Sequence, residues 1–119
     1  AHLPVKSMET PILDLTGLKS IADGDESFVL EVLEEYLSVV PTLVSELDQA
    51  IQREDSLAVQ SSAHDLKGSS KTIGAVRLAS LATQIEDAAR LEQWDQASSL
   101  SKTVNQTWAC TQEEIRKVA

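Results

Sequence analysis

His64 sits in the run Ala63-His64-Asp65-Leu66-Lys67-Gly68-Ser69-Ser70-Lys71. If this run is helical, successive residues turn by about 100°, which sets Lys71 about 20°, Gly68 about 40° and Lys67 about 60° from His64. Val59, Ser62, Ala63, Leu66, Ser69, Ser70 and Ile73 fall on the other, broader side. They are mostly small or apolar, as residues between packed helices must be. The imidazole is therefore expected in solvent, sharing its face with two ammonium groups and a residue without a side chain. Imidazole is the side chain most readily available in neutral form near neutral pH, with one ring nitrogen lone pair free to attack. An ammonium one turn away stabilises charged oxygens during phosphoryl transfer, a reaction helped mainly by positioning and electrostatics. Gly68 costs about 1 kcal/mol relative to Ala inside a helix. Its presence beside His64 points to a need for open space there.

The elements that hold this face are set by the periodicity. From Asp14 onward helix formers dominate, glycines number four, and no sustained alternation of β-branched residues marks a strand. A short first helix is expected from about Leu15 to Ala22, capped by Asp14 or Thr16 and ended by Asp23-Gly24-Asp25. The second spans Ser27 to Arg53, its buried face carried by Val29, Leu33, Tyr36, Leu37, Val40, Leu43, Val44, Leu47 and Ile51. Pro41 removes a backbone donor and crowds the carbonyl of Leu37, so a kink or break is expected there. The third runs from Asp55-Ser56 to Ile73, with Gly74 as its left-handed stop. A fourth from Val76 to Leu91 presents Leu78, Leu81, Ala82, Ile85 and Ala89. A fifth presents Trp94, Ala97, Leu100, Val104, Trp108 and Ile115. Short connections make neighbours antiparallel, so the fold class is all-α: an up-down-up-down four-helix bundle with a short extra N-terminal helix.

Composition narrows the function. A chain of 119 residues accommodates one core, and a net charge of -9 without any basic stripe excludes nucleic acid as a partner. Cys110 has no second cysteine to pair with, and His2 and His64 do not form a zinc site with it at usual spacings, so no metal is assigned. No apolar run approaches bilayer length, which excludes direct membrane insertion, and a cytoplasmic location is expected. The chain opens on Ala1, and Pro4 and Pro11 break up the start. Residues 1–12 are expected to be a linker or cloning remnant, with 13–119 forming the bundle. Gly68-Ser69-Ser70-Lys71-Thr72 lacks the ending and preceding strand of a phosphate-binding loop. No nucleophile elbow accompanies the histidine, so a hydrolase is excluded. Asn105-Gln106-Thr107 is read as a chance glycosylation pattern, and Trp94, Trp108, Phe28 and Tyr36 as packing residues.

The run from Ala63 to Ser70, followed by Ile73-Gly74-Ala75 and then Leu78, Leu81, Ile85 and Glu86, resembles a histidine-containing phosphotransfer (HPt) domain. The resemblance extends from Asp14 to about Arg116, and its most specific part is His-x-x-Lys-Gly followed by the Gly-Ala junction. It implies a carrier in a multistep phosphorelay that takes a phosphoryl group from the aspartate of one response-regulator receiver domain and gives it to another. Such a carrier binds no ATP and needs no cofactor, and Mg2+ belongs to the receiver. By the same resemblance His64 is phosphorylated, Lys67 contacts the phosphoryl oxygens and Gly68 leaves room for docking. Glu86 stands where several members have Gln. It can accept the imidazole N–H and orient the ring, but once ionised it has no proton to donate to phosphoryl oxygens. Lys71 is a supporting residue, most simply a solvated side chain. Leu18, Ile21 and Phe28 are the expected receiver-binding residues. A monomer is expected, and the proline-bearing start suggests attachment to the C-terminal end of a membrane-anchored hybrid sensor kinase.

The competing class is a helical adaptor that binds a partner without exchanging phosphate. Incubation with a phosphorylated receiver separates the two. The carrier yields an acid-labile, alkali-stable phosphate on the chain, and the adaptor yields none.

Overall fold

The computed structural model describes residues 11–118, so most of the expected linker, and His2 with it, lies outside the described residues. Among the described residues five helices follow one another: α1 (Thr16–Ala22), α2 (Glu26–Gln52), α3 (Ser56–Ile73), α4 (Val76–Arg90) and α5 (Trp94–Val118). Asp25 and Asp55 begin α2 and α3 in extended conformation, and their carboxylates accept the backbone N–H groups of Phe28 and Ala58. Each side chain satisfies one of the amides that a helix start leaves unpaired. Asp14 plays a related part before α1, where Leu15 takes the cap position. Its carboxylate accepts the Thr16 N–H at 3.1 Å, and the hydrogen bonds from Thr16 hold its carboxyl below the usual carboxylate range.

The four long helices pack in a ring: α2 against α3, α3 against α4, α4 against α5, and α5 back against α2, while α1 lies across α2 and α3. That is the antiparallel bundle expected from the short connections. Its core is one cluster that includes Leu33, Val40 and Leu47 from α2, Val59, Ala63 and Leu66 from α3, Leu78, Ala82 and Ile85 from α4, and Ala97, Val104 and Ile115 from α5. Small residues recur on the buried faces of α3 and α4. Ala63 and Ser70 on one side and Ala82 and Ala89 on the other are fully buried, which lets the two backbones come close.

Pro41 does not break α2. The helix runs through it, and Pro41 lies on the exposed side, where solvent can hydrate the carbonyl that loses its donor. On the inner side, Tyr36 and Ser70 share a buried 2.7 Å hydrogen bond, and Tyr36 meets Trp108 edge to face at 5.6 Å. Burial pushes the Tyr36 phenol up to about 12 despite the opposing hydrogen bond from Ser70, so this group is a neutral structural tie among α2, α3 and α5. Ser101 of α5 likewise donates to Asp48 of α2.

The α3–α4 corner turns on Gly74, whose φ of 88° is left-handed. Its carbonyl accepts the Asp14 N–H at 2.8 Å, and a Cβ added there would lie 1.8 Å from the Asp14 carbonyl oxygen. Both the turn and the strap that holds the chain before α1 therefore require glycine. Gly74→Ala is expected to lower stability by about 2 kcal/mol or more, as measured by urea unfolding. Tyr36→Phe, which leaves the Ser70 hydroxyl buried and unpaired, is expected to cost about 1 to 2 kcal/mol in the same assay.

Candidate functional site

The site is built where the exposed side of α3 faces the edge of α4. Val59, Ala63, Leu66, Ser70 and Ile73 fix which side of α3 points inward, and His64 is thereby turned out, its side chain 67% exposed. On α4, Leu78, Ala82, Ile85 and Ala89 do the same, leaving Glu86 on the border between core and solvent. The small-residue seam brings Glu86 within reach of α3.

Glu86 touches both candidate residues at once. Its Oε1 accepts from the Lys67 ammonium at 3.1 Å, and its Oε2 lies 3.7 Å from Nδ1 of His64. The second distance is an electrostatic contact longer than a hydrogen bond. Lys67 and Glu86 are each only about one fifth exposed, so their attraction is less screened than that of an ordinary surface pair. Nδ1 is the nitrogen nearest the carboxylate, and Nε2 lies across the ring from it in a side chain that is mostly exposed. Gly68 follows one turn after His64, and a Cβ placed on it meets nothing within 4 Å. The gap expected beside the imidazole is open space in the domain itself. An exposed nucleophile, a cation one turn away, a carboxylate facing the opposite ring nitrogen and a clear approach make an arrangement suited to receiving a group from a large partner.

A family model described as the Hpt domain matches residues 31–114. The chain belongs to the Hpt domain family. Among solved structures it is similar to the crystal structure of histidine-containing phosphotransfer protein B (HptB) from Pseudomonas aeruginosa PAO1, with a TM-score of 0.83 and 26% identity over 92% of this chain and 95% of that one. A search of curated proteins returned no match.

This Hpt domain brings His64, Lys67, Gly68 and Glu86 together. Lys71, two turns beyond His64, is exposed and lines a shallow recess with Gly74, Val76 and Ala79 along the α3–α4 seam. Asp65 is exposed, and Gln84 turns back to Ser80 of its own helix. Of the three residues expected to dock a receiver, Ile21 and Phe28 are exposed, at 73% and 40%. Leu18 is not: it is 4% exposed and belongs to the core, because the inward side of a two-turn helix must anchor it to α2 and α3. Sequence reasoning misses the direct Lys67–Glu86 ion pair. The available signal is an acidic residue on the α3-facing border of α4, which spacing alone pairs with the imidazole and not with the lysine.

Since Gly68 is helical and its Cβ position is empty, Gly68→Ala is expected to stabilise the isolated domain by about 0.5 to 1 kcal/mol in urea unfolding. The glycine is thus a cost to the fold of the isolated domain.

Proposed function

We propose that this Hpt domain carries a phosphoryl group on Nε2 of His64, receiving it from the aspartyl phosphate of one receiver domain and passing it to the aspartate of another. The observation that carries this reading is the exposed imidazole with Glu86 on its Nδ1 side, Lys67 one turn along and nothing above Gly68. Glu86 favours the tautomer with the proton on Nδ1, which leaves the Nε2 lone pair free to attack. Lys67 neutralises charge on the phosphoryl oxygens as they pass from one protein to the other. The empty space at Gly68 admits the receiver's own active-site loops.

Ile21 and Phe28 form the apolar part of the receiver-docking face, and Leu18 supports it from beneath. A carrier that uses one imidazole needs no second copy, so the domain works as a monomer. Cys110, exposed and unpaired, fits the reducing cytoplasm. Among the described residues no helix is long and apolar enough to cross a membrane.

His64→Gln is expected to fold normally and to take up no label from a phosphorylated receiver. Label on that variant equal to wild type would refute the assignment. Lys67→Ala is expected to slow labelling roughly tenfold to a hundredfold, as followed by rapid quench. Phe28→Asp is expected to weaken receiver binding about tenfold while circular dichroism stays native, whereas Leu18→Asp, which buries an unpaired charge, is expected to unfold the domain.

A further inference from the structure

We propose that Glu86 shortens the life of the phosphohistidine by competing with the phosphoryl group for Lys67, so that this domain is set to hand the group on rather than to store it. The inference rests on the phosphotransfer reading above and concerns the fate of the phosphoryl group once His64 is charged.

The transfer step fixes where the charges go. The Nε2 lone pair attacks phosphorus, the bond from phosphorus to the aspartyl oxygen breaks, and its electron pair leaves on the donor carboxylate. The Nδ1 proton stays, so the ring becomes positive and carries a phosphoryl group of nearly two negative charges at neutral pH. Onward transfer reverses this: an acceptor carboxylate oxygen attacks phosphorus, and the electron pair of the N–P bond returns to Nε2.

Before the step, Lys67 and Glu86 cancel each other at 3.1 Å. After it, the Lys67 ammonium has two anionic claimants, the phosphoryl group and Glu86, and Glu86 in turn also faces the positive ring. Lys71 lies two turns along α3 from His64, a rise of about 10 Å, and Asp65 beside His64 adds negative charge. Glu86 is held in place by the buried face of α4, and as an ionised carboxylate it has no proton to give the phosphoryl oxygens. It therefore draws Lys67 away from them and repels them. The same carboxylate lies 3.7 Å from Nδ1, and with the proton on Nδ1 the ring leaves phosphorus as neutral imidazole rather than as an anion. The attraction between this carboxylate and the positive ring acts the other way, and in the proposed competition the carboxylate's hold on Lys67 and its repulsion of the phosphoryl oxygens outweigh that attraction. Charges a few ångströms apart in a partly screened setting change such a rate by about tenfold.

The test uses the full 119-residue chain, wild type and Glu86→Gln, charged at His64 with phosphoramidate, a chemical phosphodonor to histidine, and followed by 31P NMR after the reagent is removed. Glu86→Gln is expected to lengthen the phosphohistidine half-life about tenfold, and to shift the equilibrium with a single receiver domain toward phospho-His64 by a similar factor. Lys67→Met is expected to shorten the half-life, and in that background Glu86→Gln is expected to lengthen it less, because there is no ammonium left to compete for. Glu86→Ala serves as the second variant if Gln disturbs the seam. Unchanged half-life and equilibrium in both Glu86 variants would overturn the inference while leaving His64 as the carrier. Strictly additive effects of the Lys67 and Glu86 changes would overturn the competition. A wild-type chain that takes no label at His64 from either phosphoramidate or a phosphorylated receiver would overturn both readings.

Discussion

The close approach of α3 and α4 is the constraint on which the rest depends. Ala63 and Ser70 of α3 and Ala82 and Ala89 of α4 are fully buried side chains of minimal bulk, and α3 and α4 make the most extensive helix–helix contact of the bundle. With large residues there the backbones would stand farther apart, and Glu86 would not reach a lysine 19 positions earlier in the chain. The same seam rotates His64 into solvent, because a helix that buries Ala63, Leu66 and Ser70 has no inward direction left for residue 64. Packing at the core therefore determines the electrostatics at the surface. A substitution with no contact to the imidazole can change the site by moving α4.

Two kinds of glycine show how differently the chain uses the residue. Gly74 is required by the fold: its left-handed backbone and the proximity of Asp14 leave no room for a Cβ. Gly68 is not required by the fold, since space around it is open and alanine would suit the helix better. A residue that the isolated domain would be more stable without points to something outside the domain, here a partner surface that must come close to His64.

The bundle itself is legible in the sequence, because the three- and four-residue spacing of apolar side chains over Val29 to Ile51 and Leu78 to Ala89 carries the helices and their inward faces together. Gly74 is equally legible as the stop after Ile73. Less legible is α1. In a helix of seven residues, periodicity does not distinguish the apolar side chain that anchors from those that remain outside, so Leu18 groups with Ile21 and Phe28 although only Leu18 is buried. Pro41 reads as an interruption because local propensity ignores tertiary support; packing on the inner face of α2 and solvent access on the outer one keep the helix continuous. At the site, His64, Lys67 and Gly68 can be placed relative to one another since they share one helix. The Lys67–Glu86 pair depends on how far apart two helices stand and on their relative rotation, quantities that residue spacing within either helix does not contain.

On the inward side of α3, Trp108 leans edge-on against Tyr36, whose hydroxyl reaches Ser70. Three helices meet at that point, about a third of a helical turn away from the direction His64 takes. Indole emission from Trp108 thus comes from a corner shielded from the imidazole's surroundings. In a chain whose other indole, Trp94, is replaced, it offers an intrinsic optical gauge of whether α2, α3 and α5 remain assembled, one that chemistry on the outer face would leave undisturbed.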